Sequence, residues 1–120
     1  MDDDPYPNIL KMVLDNLAMF VDSAQRLSLD ELWAQDYPND LVYSFYDWTP
    51  FLVERYGSRL TIRQTSLLVA IDAYLTALDI ERNPAISTPE TLREGPEWAD
   101  LRILAGLALD AFGVDRASDP

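Results

Sequence analysis

Thr61-Ile62-Arg63-Gln64-Thr65-Ser66-Leu67-Leu68-Val69-Ala70-Ile71-Asp72-Ala73-Tyr74-Leu75-Thr76-Ala77-Leu78-Asp79-Ile80 is the stretch whose reading decides the fold. Thr61 and Gln64 stand at the spacing of a capping box. The threonine oxygen takes the amide proton three residues on, and the glutamine reaches back to the first amide. At 100° per residue only Thr65, Asp72, Thr76 and Asp79 gather into a narrow polar stripe, and the remaining surface is apolar nearly all round. The pattern predicts a helix over about 62–81, placed in the middle of a bundle, its polar stripe turned to water or to a groove. Asn83-Pro84 closes it.

Working outward, the same period recurs on both sides. Leu10, Val13, Leu14, Leu17, Val21 and Ala24 fall at spacings of three and four, which predicts an amphipathic helix over about 8–25. Ser28-Leu29-Asp30-Glu31 is another capping box, and the short helix it opens must stop before Tyr37-Pro38. Asn39 or Asp40 can cap the next segment, where Leu41, Phe45, Trp48 and Leu52 share a face. Thr49-Pro50 reads as an N-cap and first helical position, which divides this segment into two short helices, and Gly57 reads as a left-handed stop. Thr88-Pro89-Glu90 starts a short turn that Gly95-Pro96 ends. Trp98, Leu101, Leu104, Ala105, Ala108, Leu109 and Phe112 then line one face of a last helix, terminated by Gly113. Period-two alternation is weak everywhere. The expectation is an all-α fold, a compact bundle of five to six helices in a single domain over 1–120, with residues 1–7 and 114–120 frayed as tails.

Composition narrows the chemistry more than it suggests one. The 120 residues carry 21 acidic and 9 basic side chains, a balance of −12, with no histidine and no cysteine. An apolar fraction of 48% and an aromatic fraction of 11% are enough for a folded core without metal or disulfide. Nucleophiles activated by histidine, zinc sites built from Cys and His, and thiol chemistry are excluded. The four glycines stand singly, so there is no phosphate-cradling loop. Lys11, the lone lysine, falls on a surface face. Carboxylate chemistry stays open: Asp72 and Asp79 lie on one stripe and could hold Mg²⁺ or act as an acid–base pair, although a solvated face is the simpler reading. No cofactor and no metal are expected, and no enzyme. The acidic start and the lack of a long apolar run predict a cytoplasmic chain that meets neither membrane nor nucleic acid directly.

The charge is unevenly spread. Residues 1–54 hold eleven acids against Lys11 and Arg26, residues 55–82 are slightly basic, and residues 83–120 are again acidic. Arg55, Arg59 and Arg63 form the basic island; they could converge on an anion, but pairing with the chain's own carboxylates is the better expectation. The segment Tyr37–Tyr56 holds seven aromatics, interleaved with Asp40, Asp47 and Glu54 and preceded by Asp36. Phe45, Trp48 and Phe51 are assigned to the core. Asp36, Asp40, Tyr43, Tyr46, Asp47 and Glu54 are assigned to a partner-binding face, because tyrosine combines a large apolar body with a polar tip and carboxylates steer cationic partners.

In size, charge and helicity the chain is similar to immunity proteins and antitoxins as a class. That resemblance implies a small acidic protein, monomeric or weakly dimeric, that covers and neutralises a basic partner such as a bacterial toxin domain. An adaptor or chaperone for a secreted or assembling protein is the alternative. A nucleic-acid mimic or a metal–carboxylate enzyme ranks behind both.

Overall fold

The computed structural model describes residues 4–114, and within them the chain forms six α-helices and no strand. Four are long: α1 (Tyr6–Arg26), α3 (Asn39–Tyr56), α4 (Ile62–Leu78) and α6 (Pro96–Ala111). Two are short: α2 (Leu29–Ala34) and α5 (Pro89–Glu94). The local signals that start them are largely those written in the sequence. Ser28 accepts from the Glu31 amide while Glu31 accepts from Ser28, and Thr61 and Gln64 make the same reciprocal pair. Thr88 and Thr91 cap α5 in the same way, and Gly113, at φ 73°, follows the last helix.

The long helices pack as a ring: α1 on α3, α3 on α4, α4 on α6 and α6 back on α1. The core runs between them through Val13, Leu17 and Phe20 of α1, Phe45 and Leu52 of α3, Leu68 and Ile71 of α4, and Trp98 and Leu101 of α6. Helices α2 and α5 pack on one another, with α5 also against α1 and α6. The helix expected in the middle therefore occupies one corner, and the bundle has no central helix. α4 buries Leu68, Ile71 and Leu75, while Ile62 is 88% exposed and Val69 52% exposed. Its all-round apolar pattern does not concentrate on a buried face, and the helix ends at Leu78, where Asp79 turns left-handed at φ 47°.

Three further expectations are corrected. α3 is one continuous helix with Pro50 inside it: proline's fixed φ is compatible with a helix, and the burial of Phe45 and Leu52 on either side holds the helix together across the lost hydrogen bond and the crowding of the carbonyl four positions back. Gly57 is right-handed and passes into a 3-10 turn over Gly57–Arg59. The buried face of α1 is rotated toward Ile9, Asn16, Phe20 and Ser23, with Leu10, Leu14 and Val21 only half-buried, because α1 packs on both α3 and α6. Asn16 is paired across that packing: its Nδ2 donates to the Leu41 carbonyl at 3.0 Å.

Within the expected N-terminal tail, residues 4–7 are part of the fold. Tyr6 begins α1, and Asp4 pairs with Arg59 at 2.8 Å. Val114, at the start of the expected C-terminal tail, packs against the core and donates its amide to the Leu109 carbonyl at 3.0 Å, and the remaining tail residues, 1–3 and 115–120, lie outside the described residues. No helix of the described residues is long and apolar enough to cross a membrane.

Candidate functional site

The continuity of α3 aligns the residues assigned to partner binding. Taking Tyr43 as reference, Asp47 is rotated by about 40° and Glu54 by about 20°, with Asp40 about 60° away on the same side and Tyr46 about 60° on the other. A break at Pro50 would have turned Glu54 away from Asp40 and Asp47. All five are exposed, Tyr43 at 49% and Tyr46 at 38%. The carboxylates of Asp40, Asp47 and Glu54 make no hydrogen bond or ion pair with any described residue.

Asp36 differs. It precedes α3 at φ 55°, its carbonyl accepts from the Asp40 amide at 2.8 Å, and its Oδ1 accepts from Asn39 Nδ2 at 3.3 Å. Its carboxylate is exposed, and its main chain sets the start of the helix. Beside it, burial and the charge of Asp40 raise the pKa of the Tyr37 phenol.

Across from this face lies the polar stripe of α4. α3 and α4 run antiparallel, so the start of α3 meets the end of α4. Tyr46 and Thr76 join the two helices through a hydroxyl–hydroxyl contact of 3.1 Å. Thr76 Oγ1 donates to Asp72 Oδ1 at 3.3 Å. Since a carboxylate only accepts and threonine has one proton to give, Tyr46 is the donor to Thr76, and the chain runs Tyr46 to Thr76 to Asp72.

This contact stands between two openings. On one side Val42, Tyr43 and Tyr46 face Leu75, Asp79 and Glu81 around a crevice of about 430 Å³. On the other, Thr49, Pro50, Val53 and Glu54 face Leu68, Val69 and Asp72 around a smaller cavity of about 210 Å³. Asp72 and Asp79, read from sequence as a solvated stripe, thus each line an opening beside the α3 face. Asp79 also approaches Arg82 at 3.6 Å. Among the described residues no three carboxylates gather closely enough to hold a metal.

Sequence reading missed Thr49. It assigned this residue to a helix cap, yet Thr49 is 2% exposed in mid-helix and its Oγ1 has no hydrogen-bond partner. Phe51, assigned to the core, is 42% exposed and meets Tyr56 edge-on at 6.3 Å between ring centroids. Phe45 is fully buried and Trp48 half-buried against the core.

The basic island does not converge. Arg59 is held by Asp4 and lies over two rings, 4.8 Å from the centroid of Tyr6 and 5.4 Å from that of Tyr56. The Arg59 guanidinium and the Tyr6 amide hold the Asp4 carboxyl below its ordinary range. Arg55 and Arg63 are exposed and pair with no described carboxylate. No protein-family model, no curated protein and no solved structure matches the chain.

Proposed function

We propose that the chain is a small binding protein that covers a basic protein partner with the α3 face, in the manner of an immunity protein or antitoxin. The observation that carries this reading is the alignment of Asp40, Asp47 and Glu54, unpaired and exposed, on one stripe with Tyr43. Carboxylates without internal partners keep their full attraction for cations on another molecule, and a tyrosine among them supplies an apolar anchor with little entropy to lose. From Asp40 to Glu54 the stripe is about 21 Å long at 1.5 Å per residue, the scale of an ordinary protein–protein patch. A net charge of −12 adds long-range steering, which speeds encounter with a positive surface and fades with salt.

The test is affinity capture from the native host at low and high salt, with the wild-type chain and with an Asp40→Lys/Asp47→Lys variant. The expected result is a basic protein retained by the wild type, released as salt rises, and lost by the variant. Association kinetics with that protein should slow at least about tenfold between 50 mM and 500 mM salt. Equal capture by both chains, or a rate insensitive to salt, would sink the reading. The adaptor alternative has one observation behind it, a mostly apolar crevice of about 360 Å³ formed by Pro7, Leu10, Leu14, Ala18 and Val114 with Lys11 and Asp15 at its edge. It predicts capture that persists at high salt.

A further inference from the structure

We infer that the outward side of α4 is a self-association surface, on which a second copy of this chain packs its own α4 antiparallel about a two-fold axis near Val69. The inference stands apart from the α3 reading and uses none of the residues assigned to it.

A helix apolar on every side is expected to be covered on every side. α4 is such a helix, yet the bundle buries only the side of Leu68, Ile71 and Leu75. At 100° per residue the opposite side carries Ile62, Ser66, Val69, Ala73 and Ala77. All five are exposed, Ile62 at 88% and Val69 at 52%. No carboxylate of α4 falls among them: Asp72 is turned about 100° from Ala73, toward α3, where it accepts from Thr76. A chain with a net charge of −12 thus keeps this side of a long helix free of acids.

Charge placement identifies the occupant. Arg63, at the start of α4, is exposed and has no salt-bridge partner among the described residues. Tyr74 stands on nearly the same line of the helix, rotated by about 20° and about 16 Å further along. Its hydroxyl donates to the Glu97 carbonyl at 2.7 Å, so this line is the edge of α4 that faces α6. Burial and then the charges of Asp100 and Glu97 raise the pKa of the Tyr74 phenol, which puts both carboxylates at the far end of the edge. Asp100 is exposed and has no salt-bridge partner among the described residues. The edge is therefore positive at its start and negative at its end, too far apart to meet within one chain. A two-fold axis across α4 near Val69 reverses the helix and keeps the two α6 edges on one side. It brings Arg63 of each protomer level with Thr76 of its partner, beside the partner's Asp100. Contacts across a two-fold come in pairs, so one docking makes the attraction twice. A parallel arrangement would set Arg63 against Arg63. α4 is about 25 Å long, which gives an interface at the lower end of the stable range and a dimer with a Kd on the order of 10–100 µM.

Sedimentation velocity of the full chain, at about 150 mM salt and from about 5 to 500 µM protein, reads the association. The expected result is a monomer–dimer equilibrium without larger species, because a two-fold contact closes on itself. Val69→Glu sets two carboxylates face to face at the axis and weakens the dimer at least about thirtyfold. The melting temperature of that variant at high dilution stays close to the wild type, since Val69 is exposed in the single chain. Arg63→Glu and Asp100→Arg each weaken the dimer at least about fivefold. Combined, they carry the wild-type net charge and restore it to within about threefold. Asp100→Arg alone lowers the net negative charge, so its loss of affinity does not come from general repulsion.

A chain that stays monomeric to about 500 µM overturns the assignment and leaves this side of α4 to a different protein. A dimer untouched by Val69→Glu overturns it too, and places the contact on another face, such as the apolar crevice of α1. Charge variants without effect, or a double variant no better than either single one, overturn the antiparallel arrangement. Asp40→Lys/Asp47→Lys lies on α3 and keeps the dimer, so the two readings are tested by different variants and fail separately.

Discussion

Tyr46 and Thr76, thirty residues apart in sequence, bring their hydroxyl oxygens to 3.1 Å and form the polar tie between α3 and α4. The tie is exposed, so its worth lies at the lower end of the range for hydrogen bonds, yet it sets how the two openings beside it are separated. Asp72 extends it into a three-residue chain.

Removing either hydroxyl is expected to cost the same amount. Tyr46→Phe and Thr76→Val each lower stability by about 0.5–1 kcal/mol, and the double variant loses little more than one single change. Chemical denaturation of the four proteins in a double-mutant cycle measures this. Fully additive losses would show that the hydroxyls act independently.

Arg93 joins α5 to the end of α1. Its Nε donates to the Ala24 carbonyl at 3.0 Å and its Nη2 to the Leu27 carbonyl at 2.7 Å. These carbonyls lie at and just beyond the last turn of α1, where the helix dipole favours a cation. Arg93→Ala is expected to cost about 2–3 kcal/mol, and Arg93→Lys to recover less than half, since an ammonium cannot reproduce the forked geometry. Denaturation midpoints for the two variants decide it. A lysine as good as arginine would mean that charge alone matters here.

Two carboxyls tie stability to pH with a definite sign. The Asp4 pKa is lowered, first by the hydrogen bond from Arg59 and then by the Tyr6 amide, and the Glu31 pKa is lowered by the Ser28 amide and hydroxyl. Both carboxyls regain ordinary values on unfolding. Their contribution is therefore complete above about pH 4–5, and it is lost as pH falls through the lowered folded-state values. Asp4→Asn is expected to reduce the melting temperature at pH 7, and the gap to the wild type is expected to narrow toward pH 2. Both groups are exposed, so the effect is small and shrinks in 1 M salt. A gap that stays constant down to pH 2 would show that the pair contributes no pH-dependent stability.

The helices were legible from local signals because those signals act within four residues. Ser28 with Glu31 and Thr61 with Gln64 do in the fold what their spacing predicts. What the spacing did not reveal depends on partners far along the chain. α4 looks central because its residues are apolar, but position in a bundle is decided by which neighbours cover a helix, and nothing in its own sequence carries that. Pro50 after Thr49 has the form of a helix start, and packing of Phe45 and Leu52 on one buried face carries the helix through it. The acidic tyrosine face was visible as composition. Its facing wall of Asp72, Thr76 and Asp79 was visible as a stripe, and only the antiparallel pairing of α3 with α4 joined the two. Thr49 gave no signal, since an unpartnered hydroxyl is a property of the packed state.

Pro50 also has a kinetic consequence. Lacking an N–H, it leaves a gap in the hydrogen-bond ladder of α3 at the Tyr46 carbonyl, halfway along the helix. The segments before and after that gap share one fewer bond, so the short C-terminal turn from Pro50 to Tyr56 is the part of α3 that opens first. Its amides are expected to exchange with solvent deuterium faster than those of Val42 to Trp48. That turn carries Glu54, so a partner settling on the α3 face would fasten the looser half of the helix and report its arrival as slowed exchange.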